Sequence, residues 1–391
     1  MGYGDYGGGS QGGAPSGQGA PGAEHPSTPT AQVPHTPRPS QYDADFIVVG
    51  SGAGGGTVAA RLVENGFSVL LLEAGGDPRS AIGSRPHMPG VNTLPDDYDV
   101  PAFHPFSVEN SAMRWDFFVR HFSNQDTQQK DPAYRAEHDG KPVDGVLYPR
   151  AGTLGGCTAH NALIFVYPHN ADWNQIADLT GDPSWRAEKM REYFERLEKC
   201  EHRPDERPAG HVGKNPSRHG WDGWLQTESA IPSAAIFNRD LRKTILETTK
   251  TVLRDPEFAL TDSDRRARLE SQLDPNDWRV VKDDAIGLRY TPLTTKGGKR
   301  MGTRERVLEV QKKHPDRLKV QLHALATRVL FDERNHAIGV EYQSGEALYG
   351  AHAQPSAAPG SVKQVFAARE VILAGGAFNT PQLLMLSGIG A

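Results

Sequence analysis

The run Asp43-Ala44-Asp45-Phe46-Ile47-Val48-Val49-Gly50-Ser51-Gly52-Ala53-Gly54-Gly55-Gly56 leaves a chain few folding options. A short apolar stretch enters a Gly-rich turn and continues into residues that suit a helix. A second apolar stretch, Val69-Leu70-Leu71-Leu72, ends in Glu73. Strand, Gly-x-Gly-x-x-Gly, helix, strand and acid is the order of a dinucleotide-binding βαβ unit. Each position has a mechanical reason. Gly50 permits the tight turn, Gly52 lets the backbone approach a pyrophosphate, and Gly55 lets helix and strand pack closely. Ser51 and Ala53 sit between them, where the helix N-terminus offers unpaired N–H groups and partial positive charge to phosphates. Glu73 would accept hydrogen bonds from ribose hydroxyls and disfavours a 2′-phosphate, so NADP is not expected. The competing reading, a Gly-rich loop without a ligand, does not explain the flanking strand, helix and acid.

With 391 residues the chain accommodates two domains or one large one. The net charge of −5 gives no basic field for nucleic acid. Cys157 and Cys200 are the only cysteines, too few for a disulfide framework or a Cys-rich zinc site. His202, His211 and His219 share one loop region without ligand-like spacing, and Cys200 does not complete a zinc pattern, so no metal site is expected. Apolar runs are strand-sized, which predicts no membrane span. Residues 1–41 are rich in Gly, Pro, Ser and Gln and read as a disordered tail. They lack the basic start and apolar core of a secretory signal, which leaves a cytoplasmic location as the expectation.

Beyond residue 75 the pattern changes. Residues 76–147 show little periodicity and read as a long irregular segment of the kind that covers a cofactor or forms a lid. A second Gly-rich loop spans Tyr148 to Asn161. A helix is predicted over 183–200, with Asp182 as N-cap and Met190, Tyr193, Phe194 and Leu197 on its apolar stripe. His219 to Leu225 should open an edge strand of a second sheet, and 235–255 a helix. Residues 317–343 alternate as strands with a turn at Asp332–Asn335. Glu370 to Gly376 reads as a buried strand ending in a Gly turn, followed by a helix carrying Leu383, Leu384 and Leu386.

Together the three Gly-rich elements resemble the glucose–methanol–choline family of FAD-dependent oxidoreductases. The βαβ unit with Glu73 matches its ADP-binding start, and Pro149 to Asn161 resembles its first signature. Gly376 to Gly390 matches its second signature at every constrained position. The resemblance implies an α/β fold: a Rossmann-like FAD-binding domain made of discontinuous segments, 42–218 plus 318–391, with an inserted α+β substrate-domain segment at 219–317. It implies that Gly50, Gly52, Gly55 and Glu73 hold the ADP half of FAD. It places Gly155, Gly156, Cys157 and Asn161 along the flavin and ribityl side, Ala326 at a backbone contact to adenine, and Gly375 and Gly376 at a turn near the cofactor.

The resemblance also implies the reaction: hydride transfer from a small-molecule alcohol to flavin N5, with electrons passed to oxygen, a quinone or another acceptor. Three positions depart from the first signature. Gly152 stands where a basic residue is usual, Cys157 where a small hydroxyl or Gly is usual, and His160 where the residue is commonly aliphatic. Some choline-oxidising members resemble this Gly-Gly-Cys-x-x-His-Asn run and attach the flavin covalently through the His. Covalent attachment through His160 is therefore one expectation, and a histidine that only packs beside the ring is the other. Full members continue past the position of Ala391 and carry the catalytic base there, so the chain reads as C-terminally truncated and no catalytic residue is assigned. His87, His104 and His121 are singled out by no motif. The rival functional reading is a non-catalytic flavin- or nucleotide-binding remnant. An NAD-linked dehydrogenase is weaker.

Overall fold

The computed structural model describes residues 35–79, 96–230, 273–283 and 289–390, with a few positions between 239 and 247. The tail before residue 35, His87 and most of the helix expected at 235–255 lie outside them. In chain order the principal elements are β1 (Ala44–Val49), α1 (Ala53–Glu64), β2 (Val69–Leu72), β3 (Arg114–Val119), β4 (Tyr134–His138) and β5 (Lys141–Ala151). There follow α2 (Ala187–Leu197), β6 (Glu198–Cys200), β7 (Leu225–Ala230), β8 (Thr291–Leu293) and α3 (Thr303–Lys313). The last are β9 (Leu318–Gln321), β10 (Ala324–Phe331), β11 (Ala337–Ser344), β12 (Ser361–Leu373) and α4 (Gly376–Leu386).

The main sheet has the order β9-β2-β1-β12-β11-β10. Its first four strands run parallel, with Phe46 to Val49 paired to Val69–Leu72 on one side and to Glu370–Leu373 on the other. The last two pairings are antiparallel. The parallel strands are apolar on both faces because both faces are covered. On one face α1 and α3 bury Ala59, Ala60, Val63, Val307 and Val310 against Phe46, Val48 and Leu71. On the other, Leu383 of α4 joins Ile47, Val49, Leu72, Val329 and Val340. Each fully buried aliphatic side chain here contributes about 1.5–3 kcal/mol. Helix α1 stops where its sequence says: Asn65 is the C-cap and Gly66 takes φ 93°.

Several expectations change. The segment 76–147 is not wholly irregular: β3, β5 and β4 form a three-stranded antiparallel sheet. Its pattern was masked because Pro142, Pro149 and the positive φ of Gly145 interrupt the alternation. The 183–200 helix is shorter. Asp182 accepts from Ser184 N at 2.9 Å and caps a 3₁₀ turn, and residues 198–200 leave the helix to form β6. Its inner face is Ala187, Arg191 and Phe194, and Tyr193 is exposed. Arg191 is buried because its guanidinium reaches the carbonyls of Ser217, Arg218 and Asn276 at 2.7 Å and packs over Phe194. In α4 Leu383 is buried, whereas Leu386 is exposed.

Segment boundaries shift for the same reason, that packing rather than composition decides membership. α3, within the expected 219–317 segment, packs in the core of the nucleotide-binding sheet. β6, within the expected 42–218 segment, pairs with β7 in the second sheet, order β6-β7-β8. Residues 35–38, placed by composition in the disordered tail, are held at the sheet edge: Thr36 N donates to Phe331 O at 2.7 Å and Arg38 pairs with Asp332. No helix among the described residues is long and apolar enough to cross a membrane.

Candidate functional site

The carboxyl ends of β1, β2 and β12 open a crevice where the strand order reverses, the place where open α/β sheets bind ligands. At its floor Gly50 has φ 93°, and a Cβ there would lie 2.4 Å from the carbonyl oxygen of Ala374. Only glycine lets the chain turn from β1 so close to β12. α1 then starts at Ala53 with Gly52 as N-cap, and no side chain caps it. Its first N–H groups are therefore available to a phosphate.

The second Gly-rich loop closes from above. A Cβ on Gly156, whose φ is 51°, would sit 2.7 Å from Gly52 Cα. Two bare backbones thus meet at the helix N-terminus. Ser51 locks them: its hydroxyl and N–H both donate to Glu73 Oε2, and its Oγ accepts from Gly155 N at 2.9 Å. Glu73 Oε1 accepts from Gly75 N at 2.9 Å. Burial raises the Glu73 pKa, and the hydrogen bonds from Ser51 and Gly75 oppose that rise. With the Ala74 backbone as a further donor, the carboxylate's roughly four acceptor positions are engaged, so a sugar hydroxyl would share or displace one of them.

These walls bound a cavity of about 270 Å³. Of the residues singled out in the sequence, Gly50, Ser51, Gly52, Glu73, Gly156, Cys157, Ala326, Gly375 and Gly376 line it. Gly55 stands behind, against the Gly50 carbonyl, where it lets α1 approach β1. Ala53, Gly155, His160 and Asn161 do not line the cavity. Gly155 supplies its carbonyl to Thr158 and Thr303, tying the loop to α3. Asn161 points its amide oxygen to Arg300 Nη1 at 2.7 Å. Arg300 also reaches the carbonyls of Tyr98, Thr158 and Asn161, so one buried cation fixes this loop from beneath.

His160 is buried, and its Nδ1 has no hydrogen-bond partner among the described residues. Desolvation, then the positive charges of Arg300 and Arg150, push its pKa down to about 4. The imidazole is neutral at ordinary pH. Cys157, one 3₁₀ turn earlier, is exposed to the cavity. The Gly152 departure also has a physical cause. A Cβ at 152 would lie 2.1 Å from the Trp115 indole, which fills the space a larger residue would need.

Sequence reading missed one wall. Trp115, Arg150, Tyr349 and Phe378 also line the cavity. Phe378 stacks on Phe117 at 4.4 Å, Arg150 lies 5.6 Å over Phe378, and Trp115 packs on Tyr349 at 4.6 Å. The available signal was Trp115-Asp116-Phe117-Phe118, an aromatic run inside a stretch read as irregular. Among the described residues no histidine lines the cavity; His121 is instead engaged with Asp131 and Tyr148.

The residues present fit an FAD. The glycine turn and uncapped helix suit its diphosphate and Glu73 suits its adenosine ribose, while His160 lies buried behind the loop, outside the cavity lining. Comparison with known proteins agrees. The GMC oxidoreductase family pattern matches residues 44–391. A pyranose dehydrogenase of Agaricus campestris is 30% identical over 356 residues, covering 90% of this chain and 48% of the relative. An ecdysone oxidase of Spodoptera littoralis is 29% identical, covering 91% of this chain and 47% of the relative. An oxygen-dependent choline dehydrogenase of Rhizobium etli is 25% identical, covering 89% and 48%. The structure of Aspergillus oryzae formate oxidase superposes with TM-score 0.59 at 21% identity, over 90% of this chain and 48% of the other, which shows the shared fold. The chain spans about half the length of the curated relatives it matches.

Proposed function

Because the chain belongs to the GMC oxidoreductase family, we propose that the intact protein oxidises an alcohol to an aldehyde or ketone. The observation that carries this is the meeting of three Gly-rich segments around one crevice, with Glu73 in its lining and His160 buried beside the loop. FAD, when bound, supplies the two-electron acceptor that takes hydride at N5 and passes the electrons to oxygen, a quinone or another acceptor. The chain's own residues bind and orient. The N–H groups at the start of α1 hold the diphosphate, Glu73 holds the ribose, and Trp115, Tyr349 and Phe378 form an aromatic wall. The relatives' names point to a pyranose, ecdysone and choline, so the substrate class proposed here is a hydroxyl-bearing small molecule.

His160 is the residue proposed for a covalent link, since its imidazole is neutral and its Nδ1 has no partner among the described residues, although the ring must swing out of its buried position to reach the cavity. The protein from the complete gene should be yellow, with absorbance near about 450 nm, a property of the free cofactor's chemistry. That colour should bleach anaerobically with an alcohol substrate. After acid precipitation it should stay with the polypeptide, and in His160→Ala it should leave with the supernatant. A well-folded, colourless product that refuses added FAD overturns the reading. A yellow product that no alcohol bleaches supports the non-catalytic remnant instead.

A further inference from the structure

Away from the crevice, the second sheet buries a cluster that alcohol oxidation does not use. Cys200 ends β6, His202 follows it, His219 enters from the next loop, and Asp274 arrives from a segment fifty residues further on. All four side chains are buried, and one ligand atom from each of Cys200, His202 and His219 lies within 4.8 Å of the other two.

The two imidazoles are set alike. His219 Nδ1 faces Glu198 Oε2 at 2.9 Å, and His202 Nδ1 faces the Thr227 carbonyl at 3.4 Å. Glu198 is itself fixed by Gly220 N at 3.0 Å and Thr227 Oγ1 at 2.8 Å. An outer acceptor on Nδ1 is the arrangement that turns a metal-binding histidine's Nε2 lone pair inward. Both Nε2 atoms do face one place: they lie 3.1 and 3.0 Å from Asp274 Oδ2. Cys200 Sγ is 3.6 Å from each ring nitrogen of His202, so the imidazole must turn slightly to aim Nε2 at a shared ion.

The S–N and N–O separations are each close to one edge of a zinc tetrahedron, while the ligand atoms that all lie within 4.8 Å of one another are those of Cys200, His202 and His219, without Asp274. Zinc–sulfur and zinc–nitrogen bonds of about 2.3 and 2.05 Å place S and N about 3.6 Å apart at the tetrahedral angle, and N and O about 3.3 Å apart. Without a metal, Asp274 Oδ2 faces both imidazoles, the Tyr290 hydroxyl at 2.5 Å and Arg203 Nη1 at 3.5 Å, more donors than its roughly two lone pairs serve well.

We propose that Cys200, His202 and His219, with the carboxylate of Asp274 on their imidazole side, form a buried structural site for one first-row divalent cation, zinc foremost. Thiolate with imidazole is the donor set zinc prefers, and burial away from the crevice makes the site structural rather than catalytic. Binding displaces the thiol proton and any imidazolium protons to solvent and forms the metal–sulfur and metal–nitrogen bonds, without a redox change. The ion staples β6 and the loop leading to β7 onto the segment at 273–283.

The test is metal analysis of the intact protein produced in zinc-supplemented medium and washed without chelator. About one zinc per chain, retained through dialysis, is the expected result. Protein stripped with chelator and given Co²⁺ should develop a thiolate-to-cobalt band in the near ultraviolet together with tetrahedral d–d bands. Cys200→Ser should lose the former, and His202→Gln should lower metal content at least tenfold while flavin content is unchanged. Should Cys200→Ser not fold, the wild-type metal count and cobalt spectrum decide alone. A chain that carries no transition metal and does not respond to Zn²⁺ or Co²⁺ holds a metal-free ion-paired network, and the proposal falls. Metal count and flavin colour are read separately, so failure here is distinct from failure of the oxidoreductase reading.

Discussion

Gly156→Ala tests whether the two Gly-rich loops close on a diphosphate. The new methyl would stand 2.7 Å from Gly52 Cα, whereas ordinary contact begins near 3.4 Å, so the loops must part by about 0.7 Å. A donor moved that far from a phosphate oxygen no longer makes a hydrogen bond. One hydrogen bond to a charged partner is worth about 1.5–3 kcal/mol, which corresponds to a loss of roughly 10- to 150-fold in FAD affinity. Holding alanine at positive φ adds about 1–2 kcal/mol of destabilisation. Gly54→Ala is the paired control: it lies in α1, and a Cβ there meets nothing within 4 Å. It should leave affinity unchanged and stabilise the protein by about 0.5–1 kcal/mol through helix propensity. The assay is fluorescence titration of flavin-free protein with FAD, with both changes made in a His160→Ala background so that affinity rather than attachment is read. Unfolding midpoints are measured alongside. If Gly156→Ala binds FAD as tightly as the Gly54→Ala control, the two loops do not grip the diphosphate and the site assignment is wrong.

Gly152→Arg should strip flavin from the purified protein, because its Cβ meets the Trp115 ring; a Trp115→Gly, Gly152→Arg double variant should recover part of it, and equal flavin content in both would show that the ring does not set this position. For His160, whose pKa is about 4 in the fold against an ordinary 6.5, the unfolded chain binds the proton first as pH drops, so stability falls between about pH 6.5 and 4 and is insensitive to this group above that window. In flavin-free protein the wild type should lose about 2 kcal/mol more than His160→Asn between pH 7 and pH 5, read by denaturant unfolding. Arg191→Met leaves the Ser217, Arg218 and Asn276 carbonyls without their cation and should cost about 3–5 kcal/mol, yet leave FAD affinity within about twofold. A matched fall in FAD affinity would mean the second sheet and the crevice are energetically one unit.

The βαβ unit was legible because each of its residues answers to a local rule. Gly50 turns, Val69–Leu72 is apolar on both faces, and Glu73 ends the strand. The strands at 324–331 and 337–344 were legible because alternation and turn residues act over neighbours, whereas of the strand at 361–373 only the apolar end from Glu370 was. What stayed hidden depends on partners far along the chain. The role of Trp115 follows from the glycine at 152, and that of Arg300 from three carbonyls at 98, 158 and 161. Asn161 and His160 carry the right motif, yet their side-chain directions are decided by Arg300 and by burial, not by spacing. Arg191 and the Cys200–His219 cluster were hidden most completely, because no local pattern announces a polar group whose partners arrive from several loops.

The parallel part of the main sheet has an implication for biosynthesis. β1 lies between β2, made moments later, and β12, which begins only at Ser361. At about 5–20 residues per second, roughly 15–60 seconds of translation separate β1 from its second neighbour. Until then the flank of β1 is an open template for other strands, and the Gly50 turn lacks the carbonyl of Ala374 against which it is shaped. Nascent chains stalled before that point should engage chaperones and should not capture cofactor.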